Sequence, residues 1–316
     1  MNINNNTYVA IMAGGIGSRF WPYSRIDKPK QFLDVLNTGQ SLLQLTFERF
    51  SKLCPLENIY IVTNEDYVNL VKEQLPEVND SQILAEPIRR NTAPCVAYVC
   101  QKIHYLNENA NIIVTPSDHI ILKEGKFTEI IDQALNFVEK NEVLLTLGIK
   151  PTRADTGYGY IQREENEIDG IFKVKAFTEK PDKELAKTFY KSGDFLWNSG
   201  TFIWKSKTII EAFKTYLPEV YDAIDSCKND FFTENESKAI SVAYTQCTSI
   251  SIDYGIMEKA DNVYVIPANF GWSDIGTWTS LYDVYEKDYL KNAVKGKLVH
   301  IYDSADNMIV ADDKKL

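Results

Sequence analysis

Positive charge is in short supply in this chain: 34 Lys and Arg stand against 44 Asp and Glu, a net charge of −10. That balance argues against general affinity for nucleic acid or for anionic membrane surfaces. Cysteine is sparse and unpatterned. Cys54, Cys95, Cys100, Cys227 and Cys247 are an odd set with no Cys-x-x-Cys spacing. A disulfide framework or a cysteine metal cluster is therefore not expected, and the thiols read as reduced and mostly buried, as in a cytoplasmic protein. Of only three histidines, His104 and His300 have no ligand-like companion and His119 reads as structural. No apolar run is long enough for a membrane-spanning helix. The first residues, MNINNNTY, have neither a basic start nor an apolar core, so no signal peptide is expected. Internal repeats and low-complexity linkers are also lacking.

What remains is an ordinary globular composition, 44% hydrophobic and 25% charged over 316 residues. That length suits one large α/β domain or a main domain with a small companion. Strand-like apolar runs alternate with helical spacing. Strands are expected at Tyr8–Met12, Asn58–Thr63, Gln82–Ala85, Asn111–Thr115 and Val143–Gly148. Helices are expected at Leu42–Leu53, Glu65–Gln74, Thr92–Leu106 and Phe127–Glu139. This order predicts a mixed, mainly parallel, Rossmann-like sheet with helices on both faces. Ligands of such sheets bind beyond the carboxyl ends of the strands. The second half mixes its periods, with strands expected at Ile171–Thr178, Thr201–Trp204 and Val263–Pro267 and helices at Lys183–Lys191 and Lys207–Tyr216. After Val294 a short β pattern is expected at Leu298–Tyr302 and Asn307–Val310. A boundary near 285–295 gives a main domain over 1–290 and a β segment over 291–316, too small to bury its own core.

The most informative stretch is Tyr8–Leu33, YVAIMAGGIGSRFWPYSRIDKPKQFL. An apolar strand breaks into Gly14, Gly15 and Gly17. Four cations follow (Arg19, Arg25, Lys28, Lys30) with Asp27 as the one acid. A strand ending in a glycine-rich turn presents backbone N–H groups to a phosphate, and nearby cations reach its other oxygens. The pattern is not a P-loop, because no Gly-Lys-Ser/Thr follows. Nor is it a full dinucleotide fingerprint, because Phe20 stands where a third small residue belongs. It fits a directed loop over a polyphosphate, with Arg19 clamping the outer phosphates and Lys30 meeting the phosphate under attack. Asp118, after Thr-Pro-Ser, sits at a strand end and suits a metal. Asp274, in Trp-Ser-Asp-Ile-Gly, is a second candidate, and the two could share one Mg²⁺ whose other ligands are water and phosphate oxygens.

AGGIGSRFWPYSR and PKQFL resemble the N-terminal motif of the bacterial mannose-1-phosphate guanylyltransferases (GDP-mannose pyrophosphorylases), within the sugar-nucleotidyltransferase superfamily. The resemblance runs from Val9 to about Trp278. It implies the nucleotide-diphospho-sugar transferase fold. It also implies a reaction in which α-D-mannose 1-phosphate attacks the α-phosphorus of GTP in line, giving GDP-mannose and pyrophosphate. In the family resembled, aspartates at the positions of Asp118 and Asp274 hold a Mg²⁺ ion. The resemblance places the nucleotide on Ala13, Gly14, Gly15, Gly17, Ser18, Arg19, Glu86, Asn91, Thr92 and Asp118, and the sugar on Gly159, Glu179, Lys180 and Asn198. Arg19, Lys30 and Lys180 would be the catalytic cations. Trp21, Trp197, Trp272 and Trp278 lie beside the motifs, and packing is the expected role for each. No general base is needed, since a phosphate nucleophile is already ionised.

Two alternatives stay open at this point: another hexose or heptose 1-phosphate or another nucleotide as substrate, and a non-catalytic sugar-nucleotide sensor. A sensor should have lost one of Arg19, Lys30, Asp118, Lys180 or Asp274, and all five are present. Some relatives carry a complete C-terminal β domain, which often contributes to dimerisation, and longer ones add an isomerase domain. Here the chain stops at Leu316, so no phosphomannose isomerase activity is expected, and a homodimer is left as one possible assembly.

Overall fold

The computed structural model describes residues 5–311. Its first half follows the expected order of elements: β1 (Thr7–Met12), α1 (Leu42–Ser51), β2 (Ile59–Asn64), α2 (Val68–Gln74), β3 (Ile83–Glu86), α3 (Thr92–Leu106) and β4 (Asn111–Pro116). Then come β5 (Ile120–Ile121), α4 (Glu124–Lys140) and β6 (Leu144–Ile149). The second half contributes β7 (Tyr160–Ile168), β8 (Ile171–Thr178), α5 (Lys183–Ser192), β9 (Phe195–Lys205), α6 (Ser206–Tyr216), α7 (Pro218–Asp225) and α8 (Glu236–Gln246). A π-helical turn at Asp253–Met257 precedes β10 (Val263–Ala268), β11 (Trp272–Ser273) and α9 (Trp278–Val284). The last elements are β12 (Ala293–Lys295) and β13 (Met308–Val310).

Nine strands form one sheet in the order β3-β2-β1-β4-β9-β6-β10-β8-β7. Strands β3, β2, β1 and β4 are parallel neighbours, as are β6 and β10. β9 runs antiparallel between β4 and β6. It is longer than the sequence pattern suggested, because Phe195–Asn198 also pairs, with β6 and β7. The central strands are buried on both faces, which is why they read as unbroken apolar runs. Val9, Ile11, Ile61 and Ile113 face one core with Phe50, Phe127 and Val138. Ala10, Val62, Ile112 and Val114 face the other with Val99, Phe213 and Tyr244. The period of two divides one strand between two cores.

Leu298–Tyr302 does not form the expected strand. β12 instead pairs in parallel with β13, Ala293 opposite Met308. The skipped segment is connecting chain, with Leu298 and Tyr302 largely exposed, so its alternating pattern has no buried face to act on. This end of the chain leans on the signature loop. Met308 packs with Phe20, Leu33 and Leu281, and the Lys295 ammonium donates to the Tyr23 hydroxyl and the Asp34 carbonyl.

Candidate active site

The chain winds outward from β1 through β2 to β3, then crosses back over α3 to β4 on the other side of β1. That reversal opens a crevice at the carboxyl ends of β1 and β4, where open α/β sheets bind ligands. The glycine loop leaves β1 there and Asp118 follows β4. Ser117 N–H donates to Met12 O at 3.0 Å, joining the two strand ends. Gln31, unremarked in the sequence beyond its place in Pro-Lys-Gln-Phe-Leu, braces the loop. Its amide donates to Ala13 O and Gly15 O, both at 2.8 Å. Ala13 is buried with its carbonyl also taking Thr63 Oγ1 and its N–H on Val62 O. Its backbone therefore supports the loop and has nothing left for a base. Gly17 has φ +65°, and a Cβ there would stand 2.9 Å from Lys30 Cβ. Only glycine lets the loop lie against Lys30 in this way. The Ser18 side chain lies outside the described residues.

A two-stranded ribbon brings the two aspartates together. β5 pairs antiparallel with β11, Ile120 opposite Ser273. Asp118 precedes β5 and Asp274 follows β11, so both emerge at the same end of the ribbon. Lys30 reaches between them. Its Nζ lies 2.8 Å from Asp118 Oδ2 and donates to Asp274 O at 2.5 Å and Ile275 O at 3.3 Å. Lys30 thus faces the aspartate pair, and its position is fixed by three acceptors. Burial opposes charge on Asp118, but the Lys30 ammonium outweighs it and holds the carboxyl below its usual range. Burial holds His119 neutral. Its Nδ1 accepts from Trp272 Nε1 at 3.2 Å, which fixes the Nε2–H tautomer.

Asp274 Oδ1 accepts from Tyr158 OH at 2.6 Å and Gly276 N at 3.0 Å. A Cβ on Gly276 would stand 2.5 Å from Asp274 Oδ2 and 3.3 Å from Arg19 Nη1, so Arg19 stands beside this aspartate. Ile275, buried and β-branched, holds φ +42°. Such a conformation costs about 1–3 kcal/mol and persists only where surrounding packing imposes it. Tyr158 packs against Trp197 and Trp272, and Trp278 stacks on Phe20. Trp21 departs from the packing expectation and is 71% exposed.

The four expected sugar residues converge at the start of β7, the end of β8 and the middle of β9. A Cβ on Gly159 would lie 2.5 Å from Glu179 Oε2 and 3.4 Å from Asn198 Cβ. Glu179 Oε1 takes Lys180 Nζ at 2.5 Å, and Lys180 holds φ +48°. The Asn198 amide is largely committed inside the protein. Its Oδ1 accepts from Thr146 Oγ1 at 2.9 Å and Gly200 N at 3.2 Å, while Nδ2 donates to Asp253 at 2.9 Å. Gly159→Ala is expected to displace the Glu179 carboxylate and raise KM for a sugar phosphate about tenfold, the scale of one polar contact, with little change in melting temperature. Steady-state kinetics beside a thermal melt checks this.

A cleft of about 350 Å³ is lined by Gly14, Gly15, Glu86, Asn91, Thr92, Gly200 and Asp253. Glu86 is 6% exposed. Burial lifts its carboxyl to about 7, against the pull of Tyr244, Cys95 and Arg89. A Cβ on Gly14 would meet Glu86 Oε2 at 3.2 Å, so the carboxyl lies under the glycine loop. Asn91 Oδ1 caps Thr92 N–H at 3.0 Å, and Thr92 Oγ1 accepts from Ile252 N at 2.9 Å. Asn91 therefore also caps helix α3, while the Thr92 hydroxyl ties the start of that helix to the segment at Ile252. Asp253 was invisible in the sequence: Ser249–Lys259 holds it and Glu258 among mostly apolar neighbours, and no motif singles it out.

The donor set at Asp118 and Asp274 fits a hard divalent cation. Both ligands are carboxylates, Asp118 is 32% exposed on its side chain, and Asp274 Oδ2 has no hydrogen-bond partner among the described residues. No group of three or more His, Cys, Asp or Glu able to hold a metal occurs among the described residues. Further ligands to such an ion would therefore come from water and substrate phosphate.

The model of the family described as nucleotidyl transferase matches residues 8–291. The chain belongs to the nucleotidyl transferase family. Among its relatives is a mannose-1-phosphate guanylyltransferase of Salmonella muenchen, 38% identical over 307 residues, covering 96% of this chain and 64% of that protein. Another, a mannose-1-phosphate guanylyltransferase of Salmonella montevideo, is 40% identical over 298 residues, covering 92% of this chain and 62% of that protein. The chain spans less than two thirds of the length of these curated relatives. A solved structure from Thermus thermophilus, described as a mannose-1-phosphate geranyltransferase, matches with a TM-score of 0.81 and 30% identity, covering 97% of this chain and 89% of that one. The sheet and crevice described above thus sit in a sugar-nucleotide transferase fold. Among the described residues, no helix is long and apolar enough to cross a membrane.

Proposed function

We propose that the chain makes GDP-mannose and pyrophosphate from GTP and α-D-mannose 1-phosphate. The observation that carries this reading is the Lys30–Asp118–Asp274 cluster beside the glycine loop, with a cleft under that loop and Gly159, Glu179 and Asn198 close together. The names of the relatives in Salmonella support the choice of guanosine and mannose. The cleft would take the nucleoside, with Gly14 and Gly15 allowing backbone approach and Asn91 Nδ2 and Glu86 available to a base edge. The sugar would lie against Gly159, Glu179 and Asn198, and Lys180 would orient its phosphate.

An oxygen of the sugar phosphate would then attack the α-phosphorus in line as the bond from that phosphorus to the pyrophosphate oxygen breaks. The nucleophile is already ionised, so the protein's task is alignment and charge neutralisation. Arg19 and Lys30 supply positive charge where the leaving group develops negative charge. Tyr158 and the Gly276 N–H hold the Asp274 carboxylate in place. A Mg²⁺ held by Asp118 and Asp274 would neutralise phosphate oxygens as a Lewis acid.

The test is pyrophosphate release by the purified chain across the four NTPs and a panel of hexose and heptose 1-phosphates, with and without Mg²⁺. GTP with mannose 1-phosphate and Mg²⁺ is expected to give the highest kcat/KM by at least tenfold. Faster turnover of another pair reassigns the substrates, and no turnover of any pair removes the catalytic reading.

A further inference from the structure

We infer that Asp253 determines hydroxyl specificity, accepting a hydrogen bond from a sugar hydroxyl group where the nucleotide cleft meets Asn198. This rests on the proposed nucleotidyl transfer. Asp253 opens the π-helical turn Asp253–Met257 and lines the 350 Å³ cleft. On one side, the preceding residue, Ile252, donates its N–H to Thr92 Oγ1 at 2.9 Å, at the start of α3. On the other, Asp253 Oδ1 accepts from Asn198 Nδ2 at 2.9 Å. The carboxyl therefore stands between the cleft assigned to the nucleoside and Asn198, assigned to the hexose.

Its own bonding is incomplete. A carboxylate offers about four acceptor sites. Among the described residues the one side-chain hydrogen bond it receives is that from Asn198, supplemented by its own backbone N–H. Glu179 and Glu258 lie near enough to repel it, and only Lys180 offsets them. Burial and these acids push its carboxyl up to about 7. A carboxyl kept short of donors and aimed into a cleft is satisfied by a ligand that brings hydroxyl donors. Asn198 cannot turn to supply more, since Thr146 and Gly200 hold its Oδ1.

The hydroxyl could be that of the ribose or that of the hexose, and deoxygenated ligands separate the two. Wild type, Asp253→Ala and the near-isosteric Asp253→Asn are compared with GTP against 2′-deoxy-GTP and 3′-deoxy-GTP, and with mannose 1-phosphate against its 2-deoxy and 3-deoxy analogues. The readouts are kcat, KM and, by calorimetry, Kd, with melting temperatures for each protein. Wild type is expected to prefer the hydroxylated ligand by tenfold or more in one arm, and Asp253→Ala to lower that preference to within about twofold, chiefly through KM and Kd. A variant that binds all ligands equally more weakly, or lowers kcat alone, with the preference kept, overturns the inference. So does a wild type that turns over substrate yet ignores every missing hydroxyl, a result that needs no variant to fold. A wild type without turnover on any NTP and sugar 1-phosphate fails at the earlier step, the proposed reaction itself.

Discussion

Lys30→Ala is expected to lower kcat for pyrophosphate release by about two to three orders of magnitude, the scale of losing one preorganised charge contact. The lysine is 6% exposed and its three donors are engaged by Asp118 Oδ2 and the carbonyls of Asp274 and Ile275. Truncation removes the charge nearest the two aspartates and leaves Asp118 without its main partner. It also frees Asp274 and Ile275 from the loop, so the geometry proposed to face the α-phosphorus is lost with the charge. Lys30→Arg keeps the charge but not the compact fit between the two aspartates, and is expected to recover only part of the rate. Asp118→Asn is expected to lower kcat on the same scale. Rapid-quench or coupled pyrophosphate assays read these effects directly. A near-normal rate in Lys30→Ala would take this residue out of the mechanism.

Glu86→Gln is expected to stabilise the folded chain at alkaline pH while weakening nucleotide binding. The sign follows from the direction of the shift. The carboxyl sits near 7 in the folded protein, above its ordinary value of 4.5, so the native state binds its proton more tightly than the unfolded chain does. Below about pH 4.5 both states are protonated and Glu86 carries no penalty. Between 4.5 and 7 the native state loses stability as pH rises, to a limit of about 3 kcal/mol. Glutamine removes that dependence. Denaturant unfolding of wild type and Glu86→Gln should agree near pH 4.5 and diverge towards pH 8, the variant being the more stable by about 2–3 kcal/mol. Nucleotide Kd should rise about tenfold or more in the variant, because a carboxylate accepts from base N–H groups more strongly than an amide does. Stability curves that run parallel across this range would show that Glu86 ionises normally in the fold.

Much of this was legible in the sequence, and the boundary of legibility has physical causes. The glycine loop and Asp118 could be located because each follows an apolar run that ends abruptly, and parallel strands place such ends on one edge. The pairing of Asp118 with Asp274 could not be derived this way. It depends on the ribbon of β5 and β11, two residues each, too short to leave a period. The insertion of β9 between β4 and β6 was hidden for a different reason: strand order is set by long-range packing, and β9 reads locally like any buried strand. Asp253 stayed invisible because Ile252, Ile256 and Met257 around it are core residues, so the segment looks like packing interrupted by one acid. At the C-terminal end, alternation over Leu298–Tyr302 misled because a two-stranded sheet lying on a neighbouring cluster buries little of its own surface.

The central claim is a single in-line displacement at the α-phosphorus by the sugar phosphate, with no group of the protein bonded to phosphorus on the way. The stereochemistry at that phosphorus tests it most directly. Turnover of GTP carrying sulfur at the α-phosphorus in one known configuration, with mannose 1-phosphate, is followed by phosphorus NMR of the sugar-nucleotide product. One displacement inverts the centre, and inversion is the predicted result. Retention would mean two successive displacements through a nucleotidylated side chain and would contradict the account.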